Sequence, residues 1–269
     1  MERAGHHPLA AGSGAEFVAV LVLGIATLAG TAYLYGAVRQ RRGLRSALRT
    51  ALFVAGVAIA AGTAVATLVG SPGYRAHMVA HLLVGMLAPL LMALGAPVTL
   101  ALGTLHVEPA RRLSRLLRLR PVALVSHPVT AGVLDIGGLW LIYTTDLYRL
   151  SHEVPLVGLL VQLHLVAAGY LFAAAVAGVD PAPHRPGYGL RAAVLVAAFA
   201  AHGILAKTLV GHPPDGVDPA AAEAGGRIMY YGGDVIEIAL LVLLGARWFA
   251  SVRPGRGGRR IVQTDAALP

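Results

Sequence analysis

Six apolar stretches, each about 17 to 25 residues long, run through this 269-residue chain and constrain its fold more than any other feature. A stretch of that length crosses the roughly 30 Å hydrocarbon core of a bilayer as a helix. A seventh qualifies once a few polar residues are allowed. Backbone groups have no water to bond in lipid, so each crossing must satisfy its own hydrogen bonds. The expected fold is therefore all-α, a polytopic membrane protein with seven transmembrane helices at residues 17–38, 50–69, 77–102, 122–145, 155–177, 191–210 and 231–250. Charged residues make up 13% of the chain, where a soluble domain carries about 25%. The remainder is short loops, so the expected organisation is an outer N-terminal tail over 1–16, one membrane domain over 17–250 and a basic cytoplasmic tail over 251–269. The first span is too long for a signal-peptide core and follows Glu16 instead of a basic segment, so it is expected to stay in the mature protein.

Net charge is +9, yet the arginines lie in short clusters beside the spans and not along an aromatic-bearing surface. They point to topology, and no nucleic-acid partner is expected. With these spans, Arg39, Arg41, Arg42, Arg45, Arg49, Arg111, Arg112, Arg115, Arg118, Arg120, Arg185, Arg191 and the tail arginines from Arg253 to Arg260 make 16 on one side. The other side holds Arg3, Arg75, Arg149 and Arg227, while Lys207 and Arg247 sit near span ends where long side chains snorkel. The N-terminus is expected outside and the C-terminus inside. Cysteine is absent, which removes disulfides, thiolate metal sites and covalent haem attachment together. A bound metal would have to use His, Met, carboxylate or backbone ligands.

Sorted by side and depth, the ionisable residues are lopsided. His77, His81, His164, His202, Asp234 and Glu237 all fall in the outer part of the membrane, on four helices. Such groups are costly in hydrocarbon and must face one another or a wet cavity. His77 and His81 are one turn apart on one helix face, a spacing that lets two imidazoles share an ion. His164 and His202 lie deeper, about 12 to 13 Å from their outer span ends. The alternative for each is a plain hydrogen bond to a neighbouring helix. Met78 and Met229 are on the same side, where thioether sulfur suits Cu(I), although methionine also simply fills space. His6, His7, His152 and His212 fall in outer tails or loops, whereas His106, His127 and His184 belong to the inner surface. Asp135 stands separately within the fourth span as a proton-relay or helix-pairing group. Pro89 and Pro97 permit a bend in the helix that carries His77 and His81.

The run from His77-Met78-Val79-Ala80-His81 through Ala88-Pro89-Leu90-Leu91-Met92-Ala93-Leu94-Gly95-Ala96-Pro97 to Leu102 resembles the signature of the multi-span CtaG family, assembly factors for caa(3)-type cytochrome c oxidases. Tyr143-Thr144-Thr145 to Tyr148, His164, Gly178-Val179-Asp180-Pro181, His202 and Gly232-Gly233-Asp234 to Glu237 follow in the family's order. The resemblance implies a bacterial plasma-membrane protein, non-catalytic, that helps make active oxidase by handling copper for its metal centres, with an oxidase subunit and the lipid bilayer as partners. In that reading His77, His81, His164 and His202 bind or pass copper, and Asp234 and Glu237 serve as ligands or orient imidazoles. Two other readings stay open. One is a b-type haem protein with His164 and His202 as axial ligands, and the other is a proton-coupled or metal transporter using Asp135.

Overall fold

The computed structural model describes residues 9–40, 43–70 and 73–253. Arg3, His6, His7, Arg41, Arg42, Ser71, Pro72, Arg256, Arg259 and Arg260 lie outside the described residues. Among those described the architecture is helical throughout: α1 (Leu9–Gln40), α2 (Leu44–Val69), α3 (Tyr74–His81), a π-helical segment (Leu82–Leu87), α4 (Ala88–Leu94), α5 (Pro97–Thr104), α6 (Val107–Leu116), α7 (Arg120–Val125), α8 (Pro128–Thr144), α9 (Leu147–Glu153), α10 (Pro155–Ala177), α11 (Tyr188–Gly211) and α12 (Pro219–Val252).

Six helical stretches are long and apolar enough to cross a membrane: Gly14–Gln40, Ser46–Leu68, Tyr74–Thr104, Pro155–Ala177, Tyr188–Gly211 and Pro219–Val252. The protein is thus an all-α polytopic membrane protein. The fourth expected span differs in extent, because α8 has only 17 residues, about 26 Å of helix. Pro128 disfavours a helical conformation at the residue before it. His127 accordingly sits at φ −70°, ψ 134° and caps α8 through Nδ1, which accepts from the Val129 N–H at 3.4 Å. Although short, α8 runs the depth of the bundle: Ala131 is in one core cluster with Val176, Leu195 and Leu244, and Leu139, Ile142 and Tyr143 are in the other with Met78, Leu205 and Met229.

The first helix begins at Leu9, inside the segment expected to be a tail. The last begins at Pro219 and not near residue 231. Asp218 accepts from the Ala221 N–H at 3.1 Å and Pro219 occupies the first turn, a strong helix start. Gly225 and Gly226, which read as loop in the sequence, are packing positions. A Cβ at Gly225 would stand 2.6 Å from the Tyr74 ring, and one at Gly226 2.4 Å from Val210. Small residues let helices approach closely in a membrane, so α12 seats α3 and α11 against its outer half.

The third span is broken rather than smoothly bent. A π-helical segment follows His81 without interrupting the helix, and the chain breaks at Ala96, which adopts a left-handed φ of 54°. Across this break, Asp180 caps α5 from another part of the chain. Its carboxylate accepts from the Thr99 N–H and the Thr99 hydroxyl, each at 2.7 Å, and from the Val98 N–H at 3.2 Å. Arg185, Arg191 and Arg247 donate to the carbonyls of Asp180, Val176 and Gly178. Three guanidiniums thus meet the C-terminal end of α10, the end whose dipole favours positive charge. This arginine-rich end of the bundle is the one assigned to the inside by charge; the opposite end is the outer end hereafter.

Candidate functional site at the outer end

Helix α3 enters the bundle at Tyr74, so His77 and His81 occupy its first two turns. The π-helical segment Leu82–Leu87 begins immediately after His81 and changes the angular phase of everything beyond it. Such segments are frequent at functional sites. Gly169 of α10 meets this segment backbone to backbone, since a Cβ there would lie 2.1 Å from the Gly85 carbonyl oxygen.

The histidines form two tiers. In the outer tier, the His77 ring lies 5.0 Å from both the Tyr148 and the His152 rings, centroid to centroid. His77 Nε2 is 3.0 Å from the Tyr143 hydroxyl, which is also 3.8 Å from Met78 Sδ. A phenol has one proton, so it donates to one of these two and accepts from His77 when it donates to the sulfur. Tyr148 lies on α9, and burial raises its phenol above the ordinary value, which keeps it neutral at physiological pH.

In the inner tier, the His81 and His202 rings are 5.9 Å apart between centroids. His202 is completely buried and its Nδ1 lies 3.3 Å from Glu237 Oε1. A Cβ at Gly233 would be 2.3 Å from His202 Cε1, so the glycine makes the seat for this imidazole. Asp135 lines the same small cavity as His202 and Glu237, about 20 Å³ in volume, room for about one water. Buried polar atoms normally have partners. Here His81 Nδ1, His81 Nε2, His202 Nε2 and Glu237 Oε2 have none among the described residues.

A cavity of about 440 Å³ at the outer end is lined among others by His77, His81, Tyr143, His152 and Gln162, so it reaches the outer tier and, of the inner one, His81. Its chemistry is mixed, with imidazole and phenol edges set among aliphatic walls.

The six residues singled out by depth therefore separate. His81, His202 and Glu237 are together, and His77 is one turn outward. His164 is turned elsewhere: its Nε2 is 3.1 Å from the Leu134 carbonyl oxygen, to which it donates, and the ring rests where a Cβ at Gly138 would be. His164 Nε2 is thus engaged by α8, whereas His202 pairs through Nδ1. Asp234 is half-buried, one turn before Glu237, and joins none of the ion pairs among the described residues. Among the described residues no group of three or more His, Asp and Glu side chains is placed to hold a metal ion together. Met78 and Met229 are both fully buried in the outer core cluster. Three participants were read differently from the sequence: Asp135 as separate, His152 as a loop histidine, and Tyr143 only as part of a motif. The signal available was position on the same side as His77: Tyr143 in the last turn of α8 and His152 on α9, in the α8–α10 connection.

An all-α polytopic membrane protein with a one-sided, buried His–Tyr–carboxylate site is the class defined by this fold and site. Residues 31–251 match the family of cytochrome c oxidase caa3 assembly factors (Caa3_CtaG), and the chain belongs to that family. It is a multi-pass bacterial membrane protein. Uncharacterized proteins of Mycobacterium bovis and Mycobacterium tuberculosis are each 32% identical to it over 154 residues, covering 52% of this chain and 22% of theirs. One from Mycobacterium leprae is 29% identical over 206 residues, 66% of this chain and 30% of the relative. The chain thus spans less than a third of the length of these curated relatives. No solved structure matches it.

Proposed function

We propose that this protein supports assembly of caa3-type cytochrome c oxidase as a non-catalytic copper-handling factor, taking copper as cargo at its outer end and releasing it toward an oxidase subunit. Family membership supports the assembly role. The observation that carries the copper reading is the set of unpartnered buried atoms on His81, His202 and Glu237, of which His81 also lines the open outer cavity. Unpartnered buried polar atoms cost stability, and a ligand that bonds them offsets that cost. Imidazole nitrogen suits copper, and ring centroids 5.9 Å apart match one ion bonded to two imidazoles through bonds of about 2 Å.

Two imidazoles without a third protein ligand leave open coordination positions, which a carrier needs to hand its cargo on. Glu237 holds His202 by Nδ1 and so directs Nε2 toward the shared space. His152 and His77 are the first imidazoles met along the cavity and serve as an entry relay. In cells carrying His81→Ala with His202→Ala, the oxidase subunits are expected to accumulate with copper content and activity reduced at least tenfold. Oxidase with normal copper and activity in that strain would overturn the copper assignment.

A further inference from the structure

A second chemically distinct feature lies at the opposite end of the bundle. Helix α6 follows the broken third span and packs chiefly against α5. Arg111, Arg115 and Arg118 recur at i, i+4 and i+7, which places them on one helical face. They form one wall of an open groove of about 940 Å³. Leu102 and Leu105 form the other wall, Val107 lies one turn before Arg111 on the α6 side, and Leu105 and Val107 are 44% and 64% exposed. Glu108 lies in the groove as well, 3.5 Å from Arg111, but both side chains are mostly exposed, so the pair is weak. Leu116, Leu119 and Leu124 just beyond are also exposed. Exposed apolar surface of this kind marks a site of contact with a membrane or another protein.

We infer that the α5–α6 groove is a binding site for an anionic phospholipid of the inner leaflet. Arg111, Arg115 and Arg118 hold the headgroup phosphate, and Leu102 and Leu105 flank the start of an acyl chain. Two complementary walls argue for this occupant. A soluble anion would use the guanidiniums and leave the leucines in water, while an apolar peptide would leave three guanidiniums unmatched. Arginine recognises phosphate with two parallel donors, and the groove sits at the boundary of the bundle, where headgroup and chain region meet. This site is remote from the histidine tiers and does not depend on the copper reading.

The cysteine-free chain permits a direct test. Leu116→Cys, beside the groove but not lining it, carries a fluorophore in the full chain, which is reconstituted into phosphatidylcholine vesicles containing brominated phosphatidylglycerol or, at the same mole fraction, brominated phosphatidylcholine. Greater quenching by the brominated phosphatidylglycerol is expected. Each arginine near an anionic surface contributes about fivefold to lipid affinity. Arg111→Gln with Arg115→Gln should therefore weaken the preference by fivefold or more, and Arg112→Gln with Arg120→Gln, which removes equal charge away from the groove, should retain it. Equal quenching by the two lipids in the unaltered chain would overturn the proposal and leave the groove to a different partner. Equal loss in both double variants would overturn it too, in favour of diffuse surface attraction. Retention of the preference in Arg111→Gln with Arg115→Gln is a third overturning result.

Discussion

The chemistry at the outer end rests on a few side chains held by positions with no side chain at all. Gly233 places its backbone against the His202 ring and Gly85 lies 3.3 Å, as a hypothetical Cβ, from the His81 ring. At Gly233 the conflict is severe, since any Cβ would enter the imidazole. Gly233→Ala is expected to drive His202 from its place beside Glu237, to destabilise the protein by about 1–3 kcal/mol through overpacking, and to lower copper retention as His202→Ala does. Thermal unfolding in detergent with metal analysis on the same preparation checks this, and an unaltered result in both would show that His202 is not seated there. The sequence conveyed the depth of these residues but not their direction. His164 and His202 are at similar depths, yet one bonds a carbonyl of α8 and the other a carboxylate of α12. Asp135 went the other way, from separate to part of the inner tier. Depth follows from counting residues along a helix, while direction depends on how each helix is rotated in the bundle, and single residues do not report that.

The third span shows why counting alone fails at the level of elements. Apolar periodicity and two prolines suggested one bent helix over 77–102, and the ends of that reading are close to the observed ones. Within it, a π-helical segment shifts the helical phase after His81 and a left-handed Ala96 interrupts the helix before Pro97. The two prolines marked both places, since the π-helical segment ends just before Pro89 and Ala96 directly precedes Pro97, but not the form each irregularity takes. What stabilises the break at Ala96 is remote, because Asp180 accepts three hydrogen bonds from Val98 and Thr99 more than 80 residues away in sequence. Asp180→Ala removes a cap from α5 and is expected to cost about 0.5–2 kcal/mol in thermal unfolding, with copper retention by the folded protein unchanged. Loss of copper with no change in unfolding would show that Asp180 acts on the site and not on the break. Helix α12 carries the complementary lesson. Two adjacent glycines read as a loop, yet they serve as the contact surface for Tyr74 and Val210.

At the level of the whole molecule the protein is polar in its functions as well as in its charge. Imidazoles, phenols and the cavity lie at one end, whereas Arg111, Arg115, Arg185, Arg191 and Arg247 gather at the other. Membrane proteins keep basic residues on the cytoplasmic side, so the cavity is expected to open to the outside. Single cysteines test this because the chain has none of its own. In intact cells, His152→Cys should react with a membrane-impermeant maleimide, and Arg115→Cys should react only after the cells are opened; the reverse pattern would invert the topology. The class of fold and the general place of the site were legible from apolar length, arginine distribution and the outer histidines. The pairing of His81 with His202 came only from the three-dimensional packing of α3, α11 and α12.

Copper retention by the purified protein tests the central claim most directly. The full chain is loaded with Cu(I) in detergent under reducing conditions, desalted and analysed by mass spectrometry beside His81→Ala with His202→Ala. The account predicts about one tightly held copper per chain, as for a single two-imidazole site, and its loss in the double variant, with the helical content of both proteins equal. No retained copper in the unaltered chain, or equal retention in the variant, would contradict it.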